Sequence, residues 1–214
     1  MKKNLIPLII LLLVGILSYS YNVVSLLLLV TIGLSLASLL VACLVRVFRP
    51  SLGSRWVSVP LVILGISISG VLVGLLRPLA PAVSSTGEAS DKLAYAYQMD
   101  QADRMTIKTH LGLPNDNMKE RDSVRLEQVQ QLYMQNQISK PIDKFHAAFI
   151  FHHSKKSALF EIAQQLAGEA ASVNEIKKNY VVQWLAKATY DRWMVSLGKP
   201  QKYGTQDKFS VSVE

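Results

Sequence analysis

Pro141-Ile142-Asp143-Lys144-Phe145-His146-Ala147-Ala148-Phe149-Ile150-Phe151-His152-His153 decides how the polar half of this chain folds. At about 100° per residue, Phe145, Ala147, Ala148, Phe149, Ile150 and Phe151 spread round the whole circumference of a helix. A helix that is apolar on every side has to be buried, so residues 141–153 are predicted to be the central helix of a bundle. Pro141 suits its first turn, with Ser139 just before. Outward from it, 3.6-residue periodicity and stop signals predict four wrapping helices. They cover residues 91–110 (capped by Ser90, ended by Gly112 and Pro114), 118–136, 157–171, and 175–197 (Asn174 as N-cap, Gly198 just past the end). Strand-like alternation occurs only in Phe209-Ser210-Val211-Ser212-Val213. The polar half is therefore predicted to be an all-α, five-helix domain.

The other half is of a different kind. Half of the 214 residues are hydrophobic and only 18% are charged, and the mean hydropathy is +0.25. Residues 1–90 hold Lys2, Lys3, Arg46, Arg49, Arg55 and Arg77 against one acid, Glu88, whereas the charges of residues 91–214 nearly balance. Three uncharged apolar runs stand out at 5–21, 23–45 and 56–76. A helix needs about 20 residues to cross the hydrocarbon core of a bilayer, which the second and third runs supply and the first barely does. The first run is read as a retained helix, because Ser18-Tyr19-Ser20 makes a poor cleavage signal. The alternative is a signal peptide with Lys2-Lys3 as its basic region. These features predict two to three transmembrane helices within residues 1–79, a linker at 80–90, the helical domain at 91–208 and a tail at 209–214.

Cations in short loops stay in the cytoplasm. Lys2, Lys3 and the link from Arg46 to Arg55 thus favour the cytoplasmic side, which places the C-terminal domain outside it; Arg77 runs against this rule. No ionisable residue other than Cys43 and tyrosines falls inside the three runs, which argues against an ion path or proton relay. Gly70 and Gly74 form a Gly-x-x-x-Gly pair, read first as close packing within the chain's own helices and second as homodimerisation. Cys43, the single cysteine, is expected to be an inert buried thiol.

The polar half also resembles a prokaryotic domain of unknown function, number 6624. The residues that carry this are Asp100-Gln101-Ala102-Asp103-Arg104, Arg121-Asp122, and Ala147-Ala148 followed by Ile150 and His153. Further on come Trp184-Leu185-Ala186-Lys187-Ala188 with Asp191-Arg192, and Gly198-Lys199-Pro200-Gln201-Lys202-Tyr203-Gly204-Thr205-Gln206. The terminal signature is the specific one. The family has Gln-His where this chain has His152-His153, so His153 is the position carried over. The resemblance implies a domain and no particular reaction.

His153 ends the central helix, where it can either serve the helix terminus or act as a general acid or base. Asp103-Arg104, Arg121-Asp122 and Asp191-Arg192 are read as inter-helix ion pairs; alternatively Arg104, Arg125 or Arg192 holds a ligand's carboxylate or phosphate. The 201–206 loop offers Gln201, Tyr203, Thr205 and Gln206 as a polar rim for a ligand or as groups that close the loop, with Gly204 supplying an unusual backbone conformation. Lys155-Lys156 and Lys177-Lys178 are read as solvated turns, and no nucleic-acid partner is expected despite the net charge of +8. Asp143, His146 and His153 fall near one stripe, but Ile150 interrupts it, so neither a metal nor a cofactor is assigned.

Together these features describe a cell-membrane, multi-pass protein of a prokaryote displaying an extracytoplasmic helical domain. The leading expectation is a ligand- or partner-binding module. One alternative is a hydrolase or transferase using His153, Asp191 and Arg192 as catalytic residues with the 201–206 loop. The other is a structural subunit of a membrane complex. Expected partners are the lipid bilayer and a second copy or another membrane protein.

Overall fold

The computed structural model describes residues 5–51, 53–113 and 117–206. Lys2-Lys3, Pro114 and the strand-like tail at 209–213 lie outside the described residues. Within them the chain is all-helical, and it divides into two compact units. One comprises residues 1–79 with 105–114, the other residues 80–104 with 115–214.

The first unit contains α1 (Leu5–Ser20), α2 (Asn22–Phe48), α3 (Arg55–Leu75) and the short α5 (Ile107–His110). Helices α2 and α3 are long and apolar enough to cross a membrane; α1, at about 24 Å, is shorter. Leu, Ile and Val side chains cover the exposed outer faces of all three. Small and hydroxylated residues fill the space between them. Ser18 Oγ donates to the carbonyl of Gly70 at 2.7 Å and lies 2.6 Å from Ser25 Oγ. Both serines are buried, and in apolar surroundings each hydroxyl needs such a partner. A Cβ on Gly70 would strike Leu28 and Val14, and one on Gly74 would strike Ser25 and Ser18. The Gly-x-x-x-Gly pair thus serves packing within the chain. Cys43 is a correction: it is exposed on α2, not buried.

The second unit contains α4 (Ala89–Arg104), α6 (Met118–Met134), α7 (Pro141–His152), α8 (Ser157–Ser172) and α9 (Tyr180–Ser196). As its composition predicts, α7 is central and packs against the other four. Phe151, Ala147 and Ala148 are fully buried on it, beside Leu185 and Val182 of α9. Ala163, Ala167 and Ala170 let α8 approach closely.

Two helix boundaries differ from expectation. The segment predicted as one helix over 91–110 breaks at Met105-Thr106, because Thr106 takes an extended backbone and caps α5 by accepting from the Thr109 N–H. Residues 105–113 consequently pack with the first unit rather than the polar domain. Ser90 does not cap α4; its hydroxyl donates to Asp143 Oδ2 of α7 at 2.7 Å. The last helix starts at Tyr180 rather than near residue 175, since the Asn179 side chain accepts from the Val181 N–H and Val173 has already ended α8 in extended conformation. Gly198 follows α9 with φ +68°, and Lys199 N–H closes the helix end on the Met194 carbonyl.

Two glycines, Gly33 of α2 and Gly74 of α3, make a direct test of this packing. Gly74→Ala should destabilise the detergent-solubilised chain by about 1–3 kcal/mol, through overpacking against Ser18 and Ser25. Gly33→Ala, whose Cβ meets nothing, should be neutral or slightly stabilising in the same thermal melts.

Candidate functional site

The polar domain has an ionic core between α4 and α6. Arg125 of α6 is fully buried, a costly place for a cation unless it is paired and hydrogen-bonded. Its Nη1 donates to Asp103 Oδ2 and its Nη2 to Asp122 Oδ1, both at 2.6 Å. Arg121 holds Asp103 through two further bonds of 2.7 and 3.0 Å. Arg104 reaches both Asp100, at 2.7 Å, and Asp122, at 3.3 Å. The inter-helix reading of Asp103-Arg104 and Arg121-Asp122 therefore holds.

This network ends on His153, the C-cap of α7. His153 Nδ1 lies 3.2 Å from Asp100 Oδ1 and 3.1 Å from Oδ2. Burial alone would raise the Asp100 carboxyl, but hydrogen bonds and charge from His153 and Arg104 hold it well below the usual carboxylate range. Asp100 is thus an acceptor, so Nδ1 of His153 must be the donor. In the neutral imidazole, Nε2 then keeps a lone pair.

Asp100, His153 and Arg125 line a cleft of about 360 Å³ between the first turns of α6 and the turn joining α7 to α8. Its remaining polar walls are Lys119, Asp122, Ser123, Ser154, Lys155 and Lys156. Lys119, Lys155 and Lys156 form no ion pair among the described residues, and Arg125 Nε donates no hydrogen bond. The cleft accordingly gathers three lysines without ion-pair partners among the described residues and the Asp100–His153 pair around one space.

The other expected catalytic residues lie in different surroundings. Asp191 is fully buried, and its carboxylate accepts from the backbone N–H groups of Lys202, Tyr203 and Thr205 and from the Thr205 hydroxyl, at 2.8–3.2 Å. Burial works against ionisation there, but these donors hold the carboxyl below its usual range. Gln201 Oε1 accepts from the Gln206 N–H at 2.8 Å, and Gln206 Nε2 reaches the Ala188 carbonyl at 3.4 Å. Tyr203 is partly exposed, edge-on to Tyr190 with Lys202 over its ring. Gly204 has φ +65°, as its place in the turn requires. The 201–206 loop thus spends its polar groups on closing itself over Asp191.

Arg192 has no carboxylate partner among the described residues. One of its terminal nitrogens donates to the His152 carbonyl, and the guanidinium sits 5.6 Å from the centre of the Phe160 ring. Burial and the nearby Arg104 charge lower its pKa. The structure therefore does not join His153, Asp191 and Arg192 through any hydrogen bond; His153 works with Asp100 instead. Asp143 and His146 are likewise dispersed, to Ser90 and to a stack on Tyr97. Among the described residues no group of three or more His, Cys, Asp or Glu could hold a metal ion. Sequence reasoning named Asp100 only within a motif and set Lys155-Lys156 aside as a solvated turn. The available signals were Asp100 four residues before Arg104 and the lysine pair two residues past His153. No family model, curated protein or solved structure matches the chain.

His152, next in line, is buried with no hydrogen bond at Nδ1. Burial, then the charges of Arg192, His153 and Arg104, hold it well below its ordinary 6.5, and burial also lowers His146. A histidine kept neutral in the fold contributes its full stability above 6.5. That contribution is lost as pH falls below 6.5, where the unfolded chain binds the proton first. The loss reaches at most about 1.4 kcal/mol per pH unit for each such group. The melting temperature should fall from pH 7 to pH 5, and His152→Gln should flatten that slope; an unchanged slope would contradict the buried neutral assignment.

Proposed function

We propose that residues 80–104 and 115–214 form a membrane-tethered binding module for a small ligand bearing a phosphate or carboxylate. The observation that carries this reading is the cleft of about 360 Å³ lined by Lys119, Lys155 and Lys156 together with the Asp100–His153 pair. Its volume falls at the lower end of the roughly 300–1,000 Å³ typical of ligand sites. Three lysines without ion-pair partners supply the charge complement of an anion, and His153 adds a hydrogen-bonding group.

The tether is a multi-pass anchor in a prokaryotic cell membrane. The cations Arg46, Arg49 and Arg55 between α2 and α3 support a cytoplasmic position for that link, and hence an extracytoplasmic one for the module. Membership of domain family 6624 belongs to the same proposal and rests on the motifs around Asp100, His153 and the 198–206 signature.

A second reading, catalysis, draws support from one feature. With Nδ1 of His153 bonded to an ionised Asp100, Nε2 is available as a general base, an arrangement also found in hydrolases and transferases. On this reading Asp191 and Arg192 are scaffold, the one caging the loop and the other supporting the end of α7.

Calorimetric titration of the full chain in detergent, with inorganic phosphate and with acetate, tests the primary reading. Saturable binding of at least one is expected, weakening as salt is added. Lys119→Gln and Lys156→Gln should each weaken it by about 3–10-fold without lowering the melting temperature. Absence of saturable binding of either anion would overturn the anion reading. Hydrolysis of p-nitrophenyl phosphate or p-nitrophenyl acetate that disappears in His153→Ala would favour the catalytic one.

A further inference from the structure

A second cavity lies in the first unit and has a different character. It is a groove of about 780 Å³ between the last turns of α2 and the first turns of α3. Ala37, Val41 and Val45 form one wall, and Trp56, Val59 and Pro60 the other. Small residues on α2 leave the space open, and it follows that helix from Leu34 to Val45 for about 16 Å. Arg55 closes the polar end. Arg46 in the last turn of α2 and Arg49 at its C-cap add two further exposed cations, and no acid occurs before Glu88. Arg55 also stands at the positive end of α3, where a cation is unfavourable and an anion is favoured. Trp56 beside it is largely exposed, as suits a side chain with an apolar body and a polar N–H at a membrane surface.

We infer that this groove binds one anionic phospholipid, an acyl chain lying along Ala37 to Val45 and the headgroup phosphate at Arg55. The inference rests on the reading of α2 and α3 as membrane-embedded. A long apolar trough suits a hydrocarbon chain, and three neighbouring arginines select a negative headgroup over a zwitterionic one. Ala37 is exposed on the groove wall, so a larger residue there fills the site without touching the packed interior.

The test is native mass spectrometry of the full chain, released from micelles containing equal amounts of phosphatidylglycerol and phosphatidylcholine with identical acyl chains. One phosphatidylglycerol should be retained in preference to phosphatidylcholine. Arg55→Gln should reduce that preference about fivefold, the effect of one interfacial cation. Ala37→Phe should remove the retained lipid while circular dichroism shows unchanged helix content. Equal retention of the two lipids by the unaltered chain, or undiminished phosphatidylglycerol on Ala37→Phe, would overturn the inference. A chain that stays monodisperse in buffer without detergent would instead remove the membrane reading beneath it.

Discussion

The polar domain is organised around a buried cation. Arg125 has no exposed surface, and a guanidinium in that position is tolerable only if carboxylates surround it. Asp103 and Asp122 meet that demand from two helices, and Arg121 and Arg104 then balance the excess negative charge. The register of α4 against α6 follows, because a slip of either helix would leave at least one buried charge unpaired. Removing one partner from such a pair costs about 3–5 kcal/mol, more than most single contacts contribute. Asp100 is positioned by the same constraint. It is held in place by Arg104 and by the proximity of Arg125, at 4.0 Å, and it in turn orients His153.

The remainder of the domain complements that arrangement. Helix α7 is apolar on almost every side, so the hydrophobic core can close around it while His153 emerges at its end. On α9 Asp191 repeats the solution on a smaller scale. A buried carboxylate draws in three backbone N–H groups and a hydroxyl, and so fixes the chain after α9 as a closed loop. In the first unit, where water cannot compensate a hydroxyl, Ser18 and Ser25 satisfy each other and the Gly70 carbonyl, and Gly70 and Gly74 make room for them. These three buried clusters carry their own partners, whereas Lys119, Lys155 and Lys156 line the cleft without an ion pair among the described residues.

Periodicity made the architecture legible. The aromatic and alanine positions of residues 145–151 point in every direction on a helix, and burial was the one outcome open to them. The apolar runs of α2 and α3 were equally plain. Boundaries fared less well where a side chain overrode the pattern, as with Thr106 breaking the helix expected through residue 110 and Asn179 starting α9 late. The site was the least legible part. His153 was singled out, but its partner Asp100 lies on another helix, and nothing local distinguishes Asp100 from Asp191 or Asp143 as that partner. The Gln201 to Gln206 groups looked like a ligand rim because their chemistry suits one; only the backbone path shows them turned onto Asp191 and one another. Lys155-Lys156 read as an ordinary solvated turn because a cleft is a property of packing, not of two residues.

An ionised Asp100, held by the α4–α6 network, fixes the imidazole of His153 through Nδ1. Nitrogen-15 NMR of the histidine rings in the full chain at neutral or higher pH reads this directly, with His153→Asn identifying the resonance. Neutral His153 should be the Nδ1–H tautomer, and Asp100→Asn should abolish that preference. A neutral His153 in the Nε2–H form, unchanged by Asp100→Asn, would contradict the pairing on which the cleft depends.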